Sequence, residues 1–170
     1  MSRVAIVTGA ARGIGAATVT ALAEGGWSVV AVDRCADDPR LPYALGTEEE
    51  LDAVVERAGV LAGSRERIRS SVGDAAASDD MAAAVALAEQ EFGGLDALVT
   101  VAGVIAGGVP LWETPPEQQE AVLDANLRSV LVAARVGIPA LLRRPEPRAG
   151  RFVAVASAAA TRGLPLLAAQ

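Results

Sequence analysis

The stretch that most restricts the fold is Thr8-Gly9-Ala10-Ala11-Arg12-Gly13-Ile14-Gly15, which lies where a short apolar run passes into an Ala-rich segment of helical period. Glycines placed this way at a strand-to-helix handover have separate tasks. Gly9 permits a tight turn, Gly13 lets the main chain approach a pyrophosphate, and Gly15 lets the helix pack closely on the strand. The first helical amides add partial positive charge. A glycine-rich turn without a ligand is the plainer alternative, but the strand-then-helix context is the one a dinucleotide site requires. Thr8, Arg12 and Ile14 belong to the same loop and are taken with the glycines as cofactor-contacting positions. Eighteen residues past Gly15 stands Asp33, at the end of the second predicted strand. An acid there accepts hydrogen bonds from an adenosine ribose, although by itself it also reads as an ordinary loop carboxylate.

The remaining sequence repeats the same alternation. Strand-length apolar runs are predicted at about 3–8, 27–32, 67–72, 95–101 and 151–156, the second, fourth and fifth with so little polar alternation that both faces should be buried. Helices are predicted from Gly13 to Glu24, after a capping box at Thr47 to Glu50, from about Asp79 to Phe92, and from a second capping box at Thr114 through to Arg144 with a kink at Pro139. Such an order implies an α/β fold, a Rossmann-like doubly wound parallel sheet of strand order 3-2-1-4-5, ending after the fifth strand. With 170 residues and 52% apolar side chains, the chain is read as one domain, 1–170. A net charge of -6 argues against nucleic acid. The chain has no histidine and all 15 of its basic residues are arginine, which excludes a histidine base or a catalytic lysine within these residues. Cys35, the single cysteine, makes no intrachain disulfide, and the run Val4 to Val7 is too short for a signal peptide or membrane span. The expected compartment is the cytoplasm, with no membrane partner.

The form T-G-x-x-x-G-x-G, together with landmarks further on, resembles the short-chain dehydrogenases/reductases over the whole chain. In "VGDAA", Asp74, followed by Ala75, stands where that family's acid contacts the adenine. In "VAG", Ala102 and Gly103 stand where the family has its N-N-A-G turn, with Thr100 and Val101 in place of the two asparagines. In "DANL", Asn126 takes the place of the helix asparagine of the family's catalytic tetrad; read alone, it is a polar side chain bonding a carbonyl within its helix. In "VASAAA", Ser157 takes the place of the active-site serine; read alone, it is a turn residue. The stretches "AARGIGAATV", "VDRCADDPRLPYAL", "LWETPPEQ" and "LLRRPEPRAGRFVAVASAA" look like the subgroup coupled to the redox carrier mycofactocin.

The resemblance implies an oxidoreductase that uses NAD to move a hydride between an alcohol or carbonyl substrate and the nicotinamide, as a homo-oligomer in its full-length form. Arg12 and Arg34 have the charge to pair with the 2'-phosphate of NADP, but Asp33 is expected to dominate and select NAD. The family's catalytic tyrosine falls at position 170, which is Gln170, and its lysine four residues later; the only tyrosine is Tyr43. The expectation is therefore the N-terminal part of such an enzyme, inactive by itself. The alternative is a noncatalytic dinucleotide-binding or interaction module.

Overall fold

The computed structural model describes residues 2–167. Gln170 lies outside the described residues. Five strands, β1 (Val4–Thr8), β2 (Ser28–Asp33), β3 (Ile68–Val72), β4 (Ala97–Thr100) and β5 (Arg151–Ala154), pair parallel in the order β3-β2-β1-β4-β5. The helices are α1 (Gly13–Glu24), α2 (Glu48–Leu61), α3 (Ser78–Phe92), α4 (Pro116–Leu123) and α5 (Ser129–Leu142). The sheet is the doubly wound one that the alternation predicts.

Its two faces follow from the period of two in a strand. Val4 and Ile6 of β1, with Val30 and Val32 of β2, face one layer and pack with Met81, Ala84, Val85 and Ala88 of α3 and Ala133, Ala140 and Leu141 of α5. Val7, Val29 and Ala31 face the other, against Val19 and Ala23 of α1 and Leu51, Val54, Val55 and Ala58 of α2. Because both faces are covered, β1 is buried along its whole length.

Helix starts follow the local chemistry unevenly. Thr47 makes the predicted capping box: Glu50 N donates to its Oγ1 and Thr47 N donates to the Glu50 carboxylate at 3.0 Å. Thr114 does not. Its hydroxyl donates back to the Pro110 carbonyl at 3.1 Å, and α4 opens at Pro116 with no side-chain cap. The predicted long helix is also divided, by a π-helical turn at Asp124–Arg128. The span Pro116–Leu142 has the length and apolarity of a membrane crossing, yet α5 buries Ser129, Ala133, Gly137, Ala140 and Leu141. Gly137 lacks the Cβ that would strike the Leu98 side chain of β4, which lets α5 lie close on the sheet.

β5 departs from expectation. It forms the sheet edge beside β4, and its residues are exposed except for half-buried Phe152, which packs on the α3–α5 side. An apolar run reports what a strand is able to bury. Whether a layer covers it is decided by other elements.

Candidate dinucleotide site

With strand order 3-2-1-4-5, the chain leaves β1 toward one side of the sheet and later returns to β4 on the other, which opens a crevice at the C-terminal ends of β1 and β4. A cavity of about 310 Å³ lies there. Gly9, Arg12, Gly13, Ile14 and Gly15 line its glycine-loop side, Asp33, Arg34, Gly46, Asp74 and Ala75 one end, and Ala102, Gly103, Val104, Ala125 and Ser129 the other.

The glycine loop owes its shape to close backbone approaches. Gly9 has φ +66, and a Cβ there would meet the Ala102 backbone at 2.8 Å. A Cβ at Gly15 would overlap the Gly9 carbonyl, so the first turn of α1 rests directly on the loop. At Gly13 the space is open. No side chain caps α1 and its first turn carries no acid, so its leading amides have no intrahelical acceptor and remain available to an anion.

Asp33 anchors the loop from β2. Its Oδ2 accepts from Ala11 N and its Oδ1 from Cys35 N, both at 3.0 Å. Each oxygen keeps a lone pair for a hydroxyl donor. Asp74 Oδ1 accepts from Ala76 N at 2.8 Å, while its own N donates to Asp80 of α3 at 2.7 Å, which fixes the turn after β3.

Thr8 does not line the cavity. It is fully buried beneath it, and its Oγ1 accepts from Val101 N at 3.1 Å and Ala102 N at 3.2 Å. Asn126, in the π turn, reaches the same outlet of β4: Val104 N donates to its Oδ1 at 2.8 Å and its Nδ2 donates to Val104 O at 2.9 Å. The side chain therefore bonds a segment distant in sequence and leaves the carbonyls of its own helix alone. Ser157 is exposed, accepts from Ala159 N at 3.1 Å and does not line the cavity. Asn126 does not line it either, whereas Gly9, Arg12, Gly13, Ile14, Gly15, Asp33, Asp74, Ala75, Ala102 and Gly103 do.

The loop after β2 carries what the motifs do not signal. Gly46 lies where a Cβ would be 2.9 Å from Ala11 Cβ and 3.1 Å from Asp33 Oδ1. Tyr43 Oη donates to Ile105 O at 2.8 Å and accepts from Ile105 N at 2.9 Å, while Arg12 Nη2 donates to Ala44 O at 2.9 Å. Burial, then the charges of Asp33 and Glu48, pushes the Cys35 thiol up to about 11.

Residues 3–169 match the family model for short chain dehydrogenases. The chain belongs to that family. Among curated relatives, an uncharacterized oxidoreductase of Mycobacterium tuberculosis is 33% identical over 162 residues, 95% of this chain and 56% of the relative. A (-)-trans-carveol dehydrogenase of Rhodococcus erythropolis is 32% identical over 161 residues, again 95% and 56%. Among solved structures, the carveol dehydrogenase of Mycobacterium avium in complex with NAD superposes with a TM-score of 0.90 at 28% identity, over 98% of this chain and 58% of that one. The chain thus spans a little over half the length of these relatives.

Proposed function

We propose that residues 1–170 form one dinucleotide-binding domain, and that the protein is a cytoplasmic, NAD-dependent oxidoreductase exchanging a hydride with an alcohol or carbonyl substrate. The observation that carries this reading is the cavity, which joins the open N-terminus of α1 to the Asp33 carboxylate at one end and to the outlet of β4 at the other. Both features suit the group: amides without acceptors for a pyrophosphate, and a carboxylate with free lone pairs for ribose hydroxyls. NAD held there supplies the two-electron acceptor or donor. NAD-bound structural neighbours support that coenzyme.

In this reading the amides of Gly9 to Gly15 hold the pyrophosphate, Asp33 the adenosine ribose, and Asp74 with Ala75 the adenine. The backbone at Ala102 and Gly103 lies along the nicotinamide half, kept in place by Asn126, and Ser157 bonds the substrate oxygen. The name of one relative, a (-)-trans-carveol dehydrogenase, supports an alcohol or carbonyl substrate, and the resemblance of four sequence stretches supports a mycofactocin-type carrier as the later electron acceptor. Exposed Leu123, Leu127, Leu131 and Leu142 on the α4–α5 surface support a homo-oligomer.

Within these 170 residues there is no lysine, and the hydroxyl of the only tyrosine, Tyr43, is engaged by the Ile105 backbone. They therefore lack the tyrosine–lysine pair that the family resemblance implies as proton donor, and an amide such as Gln170 does not titrate. The test combines NAD titration with alcohol-dependent NADH formation, read through an artificial or mycofactocin-type acceptor. It compares the 170-residue chain, its Gln170→Tyr variant and a longer chain carrying Tyr-x-x-x-Lys after Ser157. Binding without turnover is expected of the first two, and turnover of the third. Turnover by the 170-residue chain, or failure of all three to bind NAD, overturns the reading.

A further inference from the structure

The loop between β2 and α2 is held by charges for which nucleotide binding has no direct use. Asp38 is their hub. Its side chain is only 7% exposed, and its carboxylate accepts from Arg40 Nε at 2.9 Å, Arg40 Nη2 at 2.8 Å, Arg40 N at 3.0 Å and Arg34 Nη1 at 3.3 Å. Arg40 Nη1 continues to Asp124 of the π turn at 2.9 Å. Arg34 follows Asp33 directly and lines the same cavity. Its guanidinium nevertheless turns to Asp38, to the Ala36 carbonyl at 3.3 Å and to Asp74 at 3.8 Å. Arg12, the second cation of the lining, is bonded to Ala44 O in the same loop. Both arginines near the ribose-binding carboxylate are thus committed to the loop.

We propose that Asp38 is a positioning residue for coenzyme choice: by holding Arg34 on the loop, it denies the 2'-phosphate of NADP its cationic partner. The inference rests on the dinucleotide reading above. Selectivity then has two acids behind it, Asp33 repelling the phosphate and Asp38 withholding the cation that would offset the repulsion. The need for the second is electrostatic. A free guanidinium one residue from Asp33 neutralises much of its charge and offers a phosphate bidentate hydrogen bonds, the strongest that an arginine makes. Asp33 alone beside a free Arg34 would discriminate poorly. The ion pair with Asp38 keeps that guanidinium elsewhere, and Asp38 is itself kept ionised by the bidentate grip of Arg40.

The test is a set of NAD and NADP titrations by calorimetry on the 170-residue chain and its variants Asp33→Asn, Asp33→Asn/Asp38→Asn and Asp33→Asn/Asp38→Asn/Arg34→Ala. The unmutated chain is expected to favour NAD by about tenfold or more, and Asp33→Asn to lose most of that preference, through weaker NAD binding and a modest gain for NADP as the repulsion is relieved. Adding Asp38→Asn should tighten NADP by roughly fivefold or more while NAD changes by less than about twofold, and Arg34→Ala should abolish the gain. A merely structural role for Asp38 would weaken both coenzymes together, and that result overturns the proposal. So does a gain that survives Arg34→Ala. The variant Asp33→Asn/Arg34→Ala leaves Asp38 in place and guards against a misfolded loop: NADP affinity should equal that of Asp33→Asn, and a fivefold loss would show that Arg34 reaches the phosphate despite Asp38. If the unmutated chain binds neither coenzyme, the dinucleotide reading itself is what fails.

Discussion

Replacing Thr8 by valine isolates the support under the cavity floor. The side chain is fully buried, and its oxygen is the acceptor for two backbone donors, Val101 N at 3.1 Å and Ala102 N at 3.2 Å. Valine keeps the branched shape and removes the acceptor. A fully buried N–H left without a partner costs about 1–3 kcal/mol, and for these two donors on half-buried residues the pair costs at most about 2–6. The extra buried methyl returns about 0.8 kcal/mol. The net loss, about 1–5 kcal/mol, is large beside the roughly 5–15 kcal/mol that ordinarily separates folded from unfolded states.

Thr8→Ser provides the control, because it retains the oxygen and loses only a methyl, at a cost of about 0.5–1.5 kcal/mol. Urea unfolding followed by fluorescence of Trp27 and Trp112 should rank the stabilities unmutated, Thr8→Ser, Thr8→Val. The valine variant should also bind NAD more weakly, since Ala102 borders the cavity that the two donors hold in shape. A valine variant as stable as the serine variant would refute the argument, for it would mean that the two amides find other partners when the hydroxyl is gone.

Two further outcomes follow from the titrating groups. Arg40's hydrogen bonds hold the Asp38 carboxyl well below its ordinary value of 3.8, so the ionised form stabilises the fold above that value and the contribution is lost as pH falls through and below it. Urea midpoints measured between about pH 5 and pH 2 should fall more steeply for the unmutated chain than for Asp38→Asn, and equal slopes would remove Asp38 from the account. Cys35, raised from 9.0 to about 11, carries roughly a hundredfold less thiolate near pH 8 than an unperturbed thiol. Alkylation by iodoacetamide should be slower in the folded chain than in urea by about that factor and should recover as pH approaches 11; equal rates would contradict the burial of the thiol.

The parts of the molecule that were legible in the sequence are those where a residue type is demanded by local geometry. Only glycine meets the backbone of Ala102 at position 9 without collision, and a carboxylate late in β2 has an acceptor oxygen for each of Ala11 N and Cys35 N. Both needs appear as spacing within a short segment. Thr114 shows where such reading stops. Its T-P-P-E has the same letters as a capping box, yet the turn at Leu111–Glu113 offers the Pro110 carbonyl to the Thr114 hydroxyl before the helix begins. The π turn around Asn126 is likewise set from outside its own segment, by the Val104 amide and carbonyl that the side chain grips. Ser157 is singled out only by the family resemblance. Its own bond is the short-range one of a turn residue.

The loop from Arg34 to Gly46 is the opposite case. Its proline and aspartate content reads as a sizeable loop, and ordering such a stretch costs about 1–2 kcal/mol per residue in backbone entropy. What offsets that cost lies far away in sequence: Asp124 for Arg40, Ile105 for Tyr43 and the glycine loop for Ala44. Spacing within the loop cannot reveal such partners. Because the loop's far end packs against Asp33 at Gly46, its order and the position of the Asp33 carboxylate are mechanically one unit. Substitutions at Arg40 or Tyr43 should act on the Asp33 end of the cavity without touching it, through the position of the chain that packs against Asp33 at Gly46.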